Sequence, residues 1–175
     1  NVSDALLKKT GKLTSSENNQ MRKHVADGWE LAGPVEGVSA TVIDVIGLHL
    51  ERLDGSGYPL GLKEDDINLH GRMAAIIDCY DAMISDRSYK KRLPPLAALK
   101  RLKKMAEEGG LDSELVNHFI RCIGLYPAGS VVKLTSNKLA MVVNPNYANP
   151  LKPDVIAFYN IRLGQNVQME QISLS

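Results

Sequence analysis

From residue 14 to residue 124 the apolar side chains recur at helical spacing, interrupted by glycine and proline, and this pattern predicts a bundle of helices. Thr14-Ser15-Ser16-Glu17 is a capping-box pattern that opens a helix to about Leu31, with His24 among the apolar stripe of Met21, Val25 and Gly28. Val38, Val42, Val45, Ile46 and His49 predict a helix from Val38 to about Arg52. The stretch from His70 to Ser85 is apolar almost all round, which predicts a buried helix carrying Asp78 and Asp81 three residues apart on one face. Pro94 and Pro95 start an amphipathic helix that Gly109 and Gly110 stop. A last helix follows from an Asp112 N-cap to Gly124, with Leu115, Phe119 and Ile123 as its stripe. Residues 3–9 predict a further short helix capped by Ser3.

After Tyr126-Pro127 the period changes. SVVKL, KLAMVV and DVIAFY are short and β-branched, and the TSN between the first two predicts a hairpin. The expected organisation is therefore a mainly α chain, with a helical domain over 1–126 and a small β extension over 128–175 that contains a solvated NPNYANPLKP loop. Composition leaves that picture unchanged: 175 residues, 44% apolar and 23% charged, are ordinary for a folded domain. A net charge of +1 excludes a nucleic-acid-polymer surface or a polybasic membrane patch, so an anionic ligand would need a few placed cations. Cys79 and Cys122 lie in apolar company and are read as reduced core residues, which implies a cytoplasmic protein. No apolar run approaches the ~20 residues of a membrane span. The opening NVSDALLKK carries neither an initiator Met nor a signal-peptide pattern, and the expectation is that the chain starts inside a longer protein.

Three features carry candidate chemistry, each with a plainer reading. A carboxylate such as Asp78 inside an apolar helix must be paired, cap a neighbour or bind a metal. His24 and His49 lie on apolar faces, where a histidine is either a satisfied core residue or a ligand. Two helical imidazoles and a helical carboxylate facing into one bundle could converge on an ion, and that mixed donor set suits iron or manganese better than zinc. The DGSGYP stretch is by itself only a Gly-Pro loop. DRSYKKR, residues 86–92, is either a solvated connector or a phosphate clamp built from Arg87 and Lys90.

HLERLDGSGYPLGL followed by IIDCYDAMISDRSYKKR closely resembles the signature of the HD-GYP phosphodiesterases, a branch of the HD hydrolase superfamily, and KLTSSENNQMRKHV matches the segment around a further ligand histidine. The resemblance runs from about Val2 through Gly124 and implies an HD-domain-like helical bundle. It further implies a metal-dependent phosphodiesterase that opens a cyclic dinucleotide, cyclic di-GMP or cyclic GMP-AMP, in bacterial second-messenger signalling. His24, His49 and Asp78 match metal-ligand positions, and Gly57, Tyr58 and Pro59 match the loop that names the branch. Arg87 and Lys90 match positions that hold the ligand's phosphates and guanine. Two divalent ions are expected, and the GYP loop is also a docking point for signalling proteins.

Two departures qualify the activity. The branch carries His-His-Glu where this chain has His49-Leu50-Glu51, so Leu50 removes one ligand. The branch's His-Asp pair and the lysine after it, the expected general acid, would fall just upstream of Asn1, and the protein either carries them there or lacks them. The 175 residues alone are therefore expected to be inactive. The alternative reading is a catalytically degenerate module that binds a cyclic dinucleotide or docks a partner.

Overall fold

The computed structural model describes residues 2–7, 9–86, 91–146 and 149–174. Its helices begin where the sequence supplies caps. After the short α1 (Asp4–Leu7), Thr14 starts α2 (Ser15–Ala32) with both halves of the capping box: its hydroxyl accepts the Glu17 amide at 3.3 Å, and the Glu17 carboxylate accepts the Thr14 amide at 2.7 Å. Ser39 caps α3 (Ala40–Leu48), and Asn68 caps α4 (Leu69–Ile84) by accepting the Gly71 amide at 3.0 Å. Pro94 and Pro95 begin α5 (Pro95–Glu107), and Asp112 caps α6 (Ser113–Ile123) through the Leu115 amide at 3.0 Å.

The expectations for α3 and α4 are corrected by the structure. The helix predicted from Val38 to about Arg52 ends at Leu48, with His49 as its C-cap. The chain leaves helical geometry because the Leu50 carbonyl accepts the Tyr58 amide at 3.1 Å, which folds the following loop back onto the helix end. The α4 helix is not buried all round. It buries Gly71, Ala74, Ala75, Ile76, Cys79, Tyr80 and Met83, while Met73 and Ile77 remain 44% and 53% exposed on its other side.

The three helices around the candidate site meet through glycine. A Cβ on Gly28 would stand 3.2 Å from Ile46, one on Gly47 3.2 Å from the Trp29 ring, and one on Gly71 only 2.6 Å from Leu48. These contacts set α2, α3 and α4 side by side. Arg72 fixes the start of α4, donating to the Ile67 carbonyl at 2.7 Å and pairing with Asp112 at 3.2 Å and Asp65 at 3.1 Å.

The chain divides into two compact units, Asn1–Asn117 and His118–Ser175, with the division inside α6. The second unit contains an antiparallel meander, β1 (Val131–Lys133), β2 (Lys138–Asn144), β3 (Asp154–Asn160) and β4 (Gln165–Ser173), in that spatial order. Ala140, Val142, Val155 and Ala157 form its core. The fourth strand has no counterpart in the sequence reading, because QNVQMEQIS is mostly polar and the strand it forms is largely exposed. The last helix buries Val116, whereas the expected stripe of Leu115, Phe119 and Ile123 is only half-buried. Cys79 is buried and Cys122 exposed, both as free thiols, so the reading of Cys122 as a core residue is corrected: it lies on the outer side of α6. Among the described residues no helix is long and apolar enough to cross a membrane. The architecture is mainly α with a C-terminal four-stranded sheet.

Candidate functional site

His24 projects from α2 and His49 stands at the end of α3, and their ring centroids are 5.9 Å apart. Each ring is tethered to its own helix. His24 Nδ1 bonds the Met21 carbonyl, and His49 Nδ1 bonds the carbonyls of Ile46 at 2.9 Å and Val45 at 3.1 Å. A carbonyl only accepts, so Nδ1 must carry the proton in both rings, and the lone pair of a neutral imidazole is then left on Nε2. Imidazoles that bind metals are held this way, with one nitrogen tied to a carbonyl and the other free to coordinate.

Asp78 comes from α4 and is half-buried. Together with His49 it lines a cavity of about 600 Å³, walled by Val45, Met73 and Ile77 and continued along α4 by His70 and Asp81. That volume falls within the range of small-molecule sites. Its size depends on the exposed side of α4 that the sequence pattern had assigned to the interior. Among the described residues, no three His, Cys, Asp or Glu side chains stand together as a ready metal cluster. The structure brings His24 and His49 together but does not gather Asp78 with them into a set of three, so the expected convergence of all three is met only by the two histidines.

The Gly57-Tyr58-Pro59 loop owes its position to a residue that the sequence reading did not single out. Glu51 is 1% exposed. Its carboxylate accepts the amides of Leu60 at 2.7 Å, Gly61 at 3.2 Å and Leu62 at 3.1 Å. Gly57 fits only as glycine, since a Cβ there would lie 2.4 Å from the Arg52 amide nitrogen. Tyr58 is half-buried, and burial raises its phenol above the usual range; the Asp78 charge pushes the same way and Arg22 and Arg52 oppose it. The loop tyrosine and the α4 carboxylate are thus electrostatic neighbours.

Arg52 joins the two sides of the site. Its guanidinium donates to the carbonyls of Glu51 at 2.6 Å and His49 at 3.3 Å, and to Cys79 Sγ at 3.1 Å, beside Asp78 in sequence. Burial pushes the Cys79 thiol up, so it stays protonated and acts as packing. The available signal for Glu51 and Arg52 was their position, charged residues directly between a candidate ligand and a glycine-rich loop. Arg87 and Lys90 lie outside the described residues.

The family model of the HD domain matches residues 4–115. The chain belongs to the HD-domain family. Within that family its loop signature places it in the HD-GYP branch. A cyclic di-GMP phosphodiesterase of Pseudomonas aeruginosa is 36% identical over 173 residues, which cover 99% of this chain and 41% of the relative. A 3'3'-cGAMP-specific phosphodiesterase of Vibrio cholerae is 41% identical over 90 residues, covering 51% of this chain and 17% of the relative. The chain thus spans less than half the length of these HD-domain relatives. A solved HDG"Y"P protein from Bdellovibrio bacteriovorus superposes with a TM-score of 0.53 at 23% identity, covering 67% of this chain and 37% of that one, and it shares the fold.

Proposed function

We propose that the full-length protein is a metal-dependent phosphodiesterase that opens a cyclic dinucleotide to its linear form, with cyclic di-GMP ahead of cyclic GMP-AMP. The observation that carries this reading is the pair of imidazoles, 5.9 Å apart with both Nδ1 atoms tethered, which leaves two Nε2 donors uncommitted, His49 sharing a cavity with Asp78. The name of the Pseudomonas relative, aligned over 99% of this chain, supports the choice of substrate.

His24, His49 and Asp78 would hold divalent ions, with iron or manganese suiting their mixed nitrogen and oxygen donors. Bound there, such ions supply Lewis acidity and a water acidic enough to attack phosphorus near neutral pH. The chain's own residues do the positioning. The tethers fix both rings and spare them reorientation on binding. Glu51 and Gly57 hold Tyr58 where it borders the ligand, and Arg87 and Lys90 take the phosphates. Two ions and a general-acid lysine are proposed for the full-length protein, with the remaining ligands drawn from outside these 175 residues.

Leu50 favours a second reading, a module that binds the dinucleotide or docks a signalling partner without cleaving it. An aliphatic side chain at this position supplies no ligand, and its backbone carbonyl already serves the loop. One experiment separates the two. Full-length protein loaded with manganese or iron is incubated with cyclic di-GMP and with cyclic GMP-AMP, and linear products are resolved by chromatography. Turnover that His49→Ala and Asp78→Ala abolish supports the enzyme. Tight ligand binding with no product, at full metal loading, selects the module.

A further inference from the structure

Tyr58 carries one contact that the proposed chemistry does not use. The Arg22 guanidinium carbon stands 4.6 Å from the centre of the Tyr58 ring. A cation within ~6 Å of an aromatic face is attracted by the ring's quadrupole. Arg22 lies on α2, two residues before His24, whereas Tyr58 belongs to the loop whose amides hang on Glu51. The contact therefore ties a ligand-bearing helix to the loop across the site. Arg22 is exposed, and among the described residues no carboxylate pairs with it, so no ion pair competes with the ring for the guanidinium. Arg22 and Asp78 also bear on the same phenol with opposite effects, so a cation of α2 and a carboxylate of α4 both act on Tyr58.

We propose that Arg22 is a positioning residue that, stacked on Tyr58, latches the loop of residues 57–62 against α2 and sets how closely it borders Asp78 and a bound ligand. The part about ligand rests on the phosphodiesterase reading, and the latch itself does not. Lysine keeps a cation that can sit over the ring. Methionine keeps the length of the stem and loses the charge.

The test uses full-length Arg22→Met and Arg22→Lys. Hydrogen exchange is followed at the Tyr58, Leu60 and Gly61 amides, which bond Leu50 and Glu51. Removing an exposed cation–π contact should speed exchange by about two- to fivefold in Arg22→Met and leave Arg22→Lys near the parent. Ring-labelled tyrosine NMR should show the Tyr58 phenol titrating higher still in Arg22→Met, because a nearby positive charge has gone. In turnover assays KM for cyclic di-GMP should rise about two- to fivefold, with kcat unchanged and Arg22→Lys restoring it. Unchanged exchange and an unmoved phenol in Arg22→Met overturn the latch. Faster exchange with an unchanged KM overturns the loop's part in binding ligand. A full-length protein without any hydrolysis defeats the phosphodiesterase reading, and exchange still decides the latch.

Discussion

Replacing Glu51 with glutamine tests whether one buried carboxylate holds the loop. The carboxylate takes the Leu60 and Gly61 amides on Oε1 and the Leu62 amide on Oε2. Glutamine keeps one oxygen and sets an NH2 where the other stood. The first two bonds survive in neutral form, and the Leu62 amide then faces a donor. Charge-assisted bonds contribute about 1.5–3 kcal/mol and neutral ones about 0.5–1.5 kcal/mol, so the two survivors lose about 1 kcal/mol each. The unmade third bond would add about 1–3 kcal/mol if it stayed dry. Leu60 is 57% exposed, so water reaches this loop and relieves part of that cost. A loss of about 2–3 kcal/mol in local stability follows, equivalent to roughly 30- to 150-fold faster exchange at the Leu60, Gly61 and Leu62 amides. Amide exchange measured by NMR or mass spectrometry on Glu51→Gln provides the assay. Exchange within about threefold of the parent would refute the reasoning and leave the loop held by its own turn geometry.

Gly57→Ala should cost more than about 2 kcal/mol and distort the loop, because its methyl meets backbone atoms at 2.4 Å that no rotamer can move; thermal melting and ligand affinity would both register it. His24→Ala and His49→Ala should each weaken metal binding by more than about a hundredfold, beyond the roughly 10- to 100-fold typical of losing a ligand's supporting partner, as read by elemental analysis. Leu50→His should raise metal content if the position faces the ions, and an unchanged content would take Leu50 out of the ligand set. The Glu17 carboxyl is pulled from an ordinary 4.5 down to about 2, chiefly by the Lys9 hydrogen bond and then by Thr14. A depressed acid stabilises the fold in full above its unfolded value and loses that contribution as the pH falls through its folded one. Glu17→Gln should therefore melt below the parent at neutral pH, and the two melting curves should converge as the pH approaches about 2.

What was legible in the sequence was local. Thr14 and Asp112, both read as caps from the sequence, do cap α2 and α6, through hydrogen bonds that close within three residues. The strands rich in valine and isoleucine were equally plain. What escaped depends on partners distant in sequence or on the solvent. β4 is held by pairing with β3, from Asp154 opposite Ser173 to Asn160 opposite Gln165, and its polar side chains give no alternation to read. Met73 and Ile77 are apolar, yet they border a cavity and are exposed. In the candidate site, the approach of His24 and His49 followed from their places on inward faces. The role of Glu51 did not, because a carboxylate that serves a loop nine to eleven residues ahead leaves no periodic trace.

The glycines flanking α3 have a mechanical consequence. α3 has nine residues, and on one side Gly28 and Gly47 let it touch α2, while on the other Gly71 lets α4 reach Leu48. The helix thus works as a gauge block: the separation between the backbones that carry His24 and Asp78 is the thickness of one short rod. Steric stops of this kind do not weaken with ionic strength, so the spacing should hold in salt that would screen surface ion pairs. An added methyl at Gly71, 2.6 Å from the Leu48 Cβ, would act as a shim, moving the helix that carries Asp78 off α3 without touching that carboxylate.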